Sequence, residues 1–119
     1  MHWGLDFVPD DEYEKVFSAM LGHLEQLDYH FDTGIFGTPL LLKVLTDNGR
    51  ADLAYRLMNQ RDFPGYSYLL DRKNSTLWET WDGSGDPGGC GHCHPMFGSV
   101  VAWFIIRLRV YDRINPNRV

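Results

Sequence analysis

Thr38-Pro39-Leu40-Leu41-Leu42-Lys43-Val44-Leu45-Thr46-Asp47-Asn48-Gly49-Arg50-Ala51-Asp52-Leu53-Ala54-Tyr55 is the stretch whose reading decides the fold. Thr38 followed by Pro39 reads as an N-cap with proline at the first helical position, where its missing N–H costs nothing. Leu40 to Leu45 is apolar nearly all round apart from Lys43, so the helix, expected over 38–48, is a buried one. Asn48-Gly49 is a stop signal, because glycine supplies the left-handed backbone that ends a helix. A second helix, expected over 51–61, puts Leu53, Ala54, Leu57 and Met58 on one side and must end before Phe63-Pro64-Gly65. The connection between the two is very short, so they form an antiparallel pair. Helical hairpins are therefore the building unit.

Working outward, Tyr13, Val16, Phe17, Met20, Leu21, Leu24 and Leu27 recur at spacings of three and four and predict an amphipathic helix over 11–29. Pro9 and the acidic Asp10, Asp11 and Glu12 suit its first turn. After residue 61 the apolar period shortens: Tyr66 to Leu70 and Thr76 to Trp81 are aromatic and β-leaning, around the turn-like Arg72-Lys73-Asn74. They predict a small β-hairpin across 66–81. Residues 82–94 are loop by composition, with five glycines and a proline. A last helix is expected over 96–111, carrying Phe97, Val100, Val101, Phe104, Ile105 and Leu108. The fold class is mainly α, in one unit over residues 1–119.

The charge of −5 and pI near 5.4 leave no basic stripe for nucleic acid. The longest apolar run, Met96 to Ile106, falls short of the roughly 18 residues of a membrane span, so no membrane partner is expected. Met1 to Asp6 has neither a positive nor an apolar region, so no signal peptide is read.

The chemistry concentrates in Thr76-Leu77-Trp78-Glu79-Thr80-Trp81-Asp82-Gly83 and in His94-Pro95-Met96-Phe97-Gly98. A glutamate between two tryptophans suits a sugar pocket, in which indole faces stack on the pyranose and the carboxylate handles its hydroxyls or a water. The same tryptophans could equally be core residues, and Glu79 an ordinary surface carboxylate. Cys90-Gly91-His92-Cys93-His94 also spells C-x-x-C-H, the attachment string of c-type haem, with Met20, Met58 or Met96 available as a further ligand. Zinc held by Cys90, Cys93 and a histidine, a Cys90–Cys93 disulfide, and two free thiols are the other readings of that string. Haem attachment takes place in an exported compartment, and zinc needs a fourth ligand that is not marked here.

Gly34-Ile35-Phe36-Gly37-Thr38-Pro39, then Leu45 to Tyr55, then Thr76 to Gly83, then His94 to Val100 with Ala102-Trp103, occur in an order and spacing that resembles the C-terminal part of the catalytic domain of bacterial α-L-rhamnosidases. The similarity runs from about Pro9 to about Leu108. It implies that the helical hairpins form part of an (α/α)₆ toroid in a six-hairpin glycosidase that inverts configuration as it hydrolyses terminal α-L-rhamnosyl linkages. By the resemblance Glu79 is the general base and His94 contacts the sugar, the rival for His94 being a histidine bonded to a nearby carbonyl. Trp81 is a candidate sugar-stacking platform, with core packing the rival. Dry tryptophan surroundings would bring the Glu79 pKa closer to the working pH, as a base requires.

The resemblance implies a rhamnose-containing glycoside as partner, no cofactor and no metal. Thr80 and Cys93 stand where the family commonly has arginine and asparagine, which bears on substrate choice. The family's general acid lies upstream of the region matched. The chain alone is accordingly expected to be inactive, to need the missing N-terminal part of the catalytic domain, and to expose apolar residues toward it. A non-catalytic carbohydrate-binding or structural remnant is the alternative.

Overall fold

The computed structural model describes residues 8–71, 76–78, 80–82 and 95–108, and among these it is helical without strands. The elements are α1 (Tyr13–Gln26), α2 (Gly37–Asp47), α3 (Ala51–Met58), α4 (Tyr66–Asp71), α5 (Pro95–Gly98) and α6 (Val100–Trp103), the last continuing as a π-helical turn over Phe104–Leu108. The helical hairpin read from sequence is the α2–α3 pair. Gly49 takes φ +74°, its N–H reaches the Thr46 carbonyl, and the Arg50 N–H closes the helix end on the Leu45 carbonyl. Leu42, Leu45, Ala54 and Leu57 are fully buried between the two helices and their neighbours.

The start of α2 differs from its reading. The helix begins at Gly37, and Thr38 caps nothing: its hydroxyl turns back to Thr33, bonding the side-chain oxygen at 2.9 Å and the carbonyl at 3.3 Å. Pro39 remains within the first turn, where no intrahelical partner is lost. Gly37 suits that place because a Cβ would lie 3.0 Å from that of Thr33 and press on it.

Helix α1 ends at Gln26, short of the expected residue 29, because Asp28 and Tyr29 adopt left-handed φ values of 47° and 56°. Non-glycine residues pay for that conformation, and here α3 supports it. Arg56 places its guanidinium 3.9 Å over the Tyr29 ring and donates to Asp28, while the Gln60 amide donates to the Asp28 carbonyl at 2.9 Å. At its other end α1 is tied to α2 by the Tyr13 hydroxyl and the Asn48 side chain, which exchange bonds of 3.1 and 2.7 Å.

The β-hairpin expected across 66–81 is overturned. Tyr66–Asp71 forms α4, in which Tyr66 and Leu69 are buried while Leu70 is 64 % exposed. That is a spacing of three, whereas alternation would have put Tyr66, Tyr68 and Leu70 on one face. Gly65 opens the turn, its carbonyl accepting from the Leu69 N–H. The described residues of 76–82 are irregular, with Leu77, Trp78 and Trp81 packed into the main core.

The last helical segment docks on α2. The Trp103 indole donates to the Thr46 hydroxyl at 2.8 Å, and Asp47 receives Arg107 and Lys43 at 2.7 Å each. Pro39, Lys43, Ala102, Trp103 and Ile106 line a shallow groove of about 240 Å³ between them. Val101, Ile105 and Ile106 are each more than half exposed, so the apolar face read from sequence is only partly covered. No helix among the described residues is long and apolar enough to cross a membrane.

Two glycines make opposite predictions for stability. Gly22 lies inside α1 with open space where a Cβ would go, so Gly22→Ala should stabilise by about 0.5–1 kcal/mol through a less flexible unfolded chain. At Gly65 a Cβ would meet the backbone carbonyls of Gln60 and Asp62 at 2.9 and 3.1 Å. Gly65→Ala should cost about 1–3 kcal/mol, since backbone cannot step aside as a side chain can. Urea midpoints of the two variants should move in opposite directions.

Candidate functional site

Trp81 is the member of the predicted site that the structure describes. It is 9 % exposed, stacked on Phe31 with centroids 5.1 Å apart at 14°, and met edge-on by Tyr66 at 5.0 Å and 90°. Phe31 and Tyr66 touch edge to face at 5.9 Å, so the rings form a closed trio. The indole N–H donates to the Thr33 carbonyl at 2.7 Å. A sugar platform needs an open indole face, and one face here belongs to Phe31. The contacts described are those of core packing, the rival reading of Trp81.

Trp81 nevertheless fixes where its segment runs. Two elements meet it directly, the loop 30–36 through Phe31 and Thr33 and α4 through Tyr66, and Thr38 in the first turn of α2 bonds Thr33 in turn. The neighbouring Leu77 and Trp78 are half-buried on the same core, and Thr80 and Asp82 are exposed. At its described positions the segment holds its apolar side chains on the core and leaves Thr76, Thr80 and Asp82 exposed. Glu79 and His94 lie outside the described residues, as do Cys90 and Cys93 of the C-x-x-C-H string. Among the described residues no group of histidine, cysteine, aspartate and glutamate side chains could hold a metal ion.

Sequence reading missed Phe31, Thr33 and Tyr66 as supports of this segment. Phe31 lies outside every periodic run, and the aromatic Tyr66–Leu70 stretch reads as a strand. Only Thr38 carried a signal, and that signal pointed to a helix cap. Burial of Tyr66 pushes its phenol well above the ordinary value near 10.

Comparison with known proteins supplies the context for this arrangement. Residues 1–108 match the family described as the bacterial alpha-L-rhamnosidase 6 hairpin glycosidase domain. The chain is 39 % identical over 105 residues to an alpha-L-rhamnosidase of Streptomyces avermitilis, covering 83 % of this chain and 10 % of that protein. It is 31 % identical over 105 residues to one from Alteromonas sp., covering 83 % of this chain and 11 % of the relative. In three dimensions it superposes on the alpha-L-rhamnosidase of Dictyoglumus thermophilum with a TM-score of 0.78 at 39 % identity, over 85 % of this chain and 12 % of the other. The Streptomyces avermitilis enzyme complexed with L-rhamnose gives a TM-score of 0.75 at 38 % identity, over 85 % of this chain and 10 % of that one. The chain therefore spans about a tenth of the length of the relatives it matches.

The buried phenol sets an alkaline limit on stability. Tyr66 stays protonated in the folded chain above pH 10, whereas the unfolded chain releases that proton. Its contribution is complete below about pH 10 and drains away as pH rises, by about 1.4 kcal/mol per pH unit. Denaturant unfolding between pH 9.5 and 11.5 should show this slope, and Tyr66→Phe, which keeps the ring packing, should flatten it.

Proposed function

The chain belongs to the bacterial α-L-rhamnosidase six-hairpin glycosidase family, and from that premise we propose that it works as a segment of an inverting α-L-rhamnosidase, with Glu79 as general base and His94 as a sugar contact. The observation that supports the reading is similarity in sequence and fold together, with the family match running over residues 1–108. The substrate class follows from the relatives' activity and from the L-rhamnose complex of one of them.

Inversion requires one carboxyl group to protonate the leaving oxygen and a second, about 6.5–9.5 Å from it, to activate water on the opposite face of the sugar. In this reading Glu79 is the second group and removes the proton from the attacking water. The general acid comes from a part of the catalytic domain outside these 119 residues, so turnover needs the two parts together. Trp81 contributes as a support: a tryptophan locked into the core two residues after the base limits how far the segment can move. His94 offers an imidazole that can donate to one sugar hydroxyl and accept from another.

An aryl α-L-rhamnoside assay, run on the chain alone and again with the remainder of the catalytic domain, tests the reading. Activity should appear only in the second case, with β-L-rhamnose as the first anomer seen by proton NMR. Glu79→Gln should lower kcat by about two to four orders of magnitude at nearly constant KM. His94→Ala should weaken binding and turnover together, whereas Cys90→Ser and Cys93→Ser should leave both near their starting values. Full activity in Glu79→Gln would remove Glu79 from the mechanism.

A further inference from the structure

The Gly37-Thr38 pair has no part in the function proposed above, yet its surroundings are unusual. Thr38 is fully buried and, among the described residues, is the buried side chain that is neither apolar nor aromatic. A buried hydroxyl is costly unless its bonds are made, and here they are made to one residue. The Thr33 and Thr38 hydroxyls share a hydrogen bond at 2.9 Å, and the Thr38 hydroxyl lies 3.3 Å from the Thr33 carbonyl, to which it can donate. That same carbonyl accepts the Trp81 indole proton at 2.7 Å. Gly37 permits the arrangement, because Thr33 fills the space a Cβ would need.

We propose that Thr38, with Thr33 as its intermediary, is a positioning residue for Glu79. The inference rests on Glu79 being the base. Helix α2 buries Thr38 together with Leu41, Leu42, Val44 and Leu45, so its first turn is anchored to the core and serves as a reference point. Thr38 fixes the Thr33 carbonyl relative to that turn, the carbonyl fixes the Trp81 indole, and Trp81 lies two residues after Glu79 in the chain. A general base works only within hydrogen-bond reach of the proton it takes, and displacement by about 1 Å can cost a hundredfold in rate. A hydroxyl that touches no substrate can thus set kcat. Its loss should act on turnover and leave substrate binding nearly unchanged.

The test compares Thr38→Val, which keeps the shape and loses the hydroxyl, with Thr38→Ser, which keeps the hydroxyl. Both are made in the full-length enzyme beside Glu79→Gln and assayed on an aryl α-L-rhamnoside. Thr38→Val should lower kcat by about ten- to a hundredfold with KM within about twofold, and Thr38→Ser should recover most of the loss. The Trp81 indole N–H resonance should shift and lose protection from hydrogen exchange in Thr38→Val alone. Should Thr38→Val fail to fold, Trp81→Phe, which keeps the ring and drops the donor, should show the same fall in kcat at constant KM. Wild-type kcat in the valine variant, equal loss in valine and serine variants, or a rise in KM matching the fall in kcat would each overturn the inference. Full activity in Glu79→Gln would instead overturn the functional reading beneath it, so the two failures are distinguishable.

Discussion

Burial of α2 is the constraint on which the other elements depend. Leu42 and Leu45 have no exposed surface, and Leu41 and Val44 have little, so α2 is surrounded where most helices of a small unit are covered on one side. At the usual gain of about 1.5–3 kcal/mol per buried aliphatic side chain, these leucines and valine form, with the buried face of α3, a large part of the apolar core. A helix apolar nearly all round needs cover on most sides, and α1, α3, the loop 30–36 and the last helical segment supply it everywhere but at Leu40, which is 54 % exposed.

Polar side chains then choose how each neighbour sits. Tyr13 and Asn48 fasten the start of α1 to the end of α2, and Thr46 with Asp47 fasten Trp103 and Arg107. Thr38 holds the loop at the opposite end. Each bond adds about 1 kcal/mol at most where it is partly exposed, less than the apolar burial it accompanies. What such bonds supply is register: hydrophobic packing tolerates small slides of one helix on another, whereas a hydrogen bond of 2.7–2.8 Å does not.

The same logic joins the core to the proposed chemistry. Aromatic contacts among Phe31, Tyr66 and Trp81 contribute about 0.5–1.5 kcal/mol each beyond the area they bury, and the Trp81 indole needs its acceptor because a buried N–H without one is costly. The core extends into the described part of the segment that carries Trp81. A tryptophan flanking an acidic residue, which on sequence grounds suggests a sugar pocket, acts in the structure as the pin holding that segment against the helices.

The helices were legible because their signals are local. The three-and-four spacing from Tyr13 to Leu24, the apolar run of α2, the Asn48-Gly49 stop and the Leu53-Ala54-Leu57-Met58 face each depend on residues within a turn or two of one another, and the motifs from Gly34 to Trp103 sufficed to place the chain in its family. The pieces that were not legible depend on partners distant in sequence. Tyr66 to Leu70 has β-leaning composition, yet Tyr66 and Leu69 face one core and only helical spacing takes both there; burial outweighed propensity. Helix α1 stops early because α3 supports left-handed Asp28 and Tyr29, and no glycine announces that turn. Thr38 reads as a cap until Thr33 is seen beside it, and the stack of Trp81 on Phe31 joins residues fifty apart that no local pattern links. The sequence by itself determined the hairpins and the family, through short-range periodicity and motif order; the tertiary structure alone decided which face each aromatic ring and hydroxyl serves, because that depends on neighbours brought together only by folding.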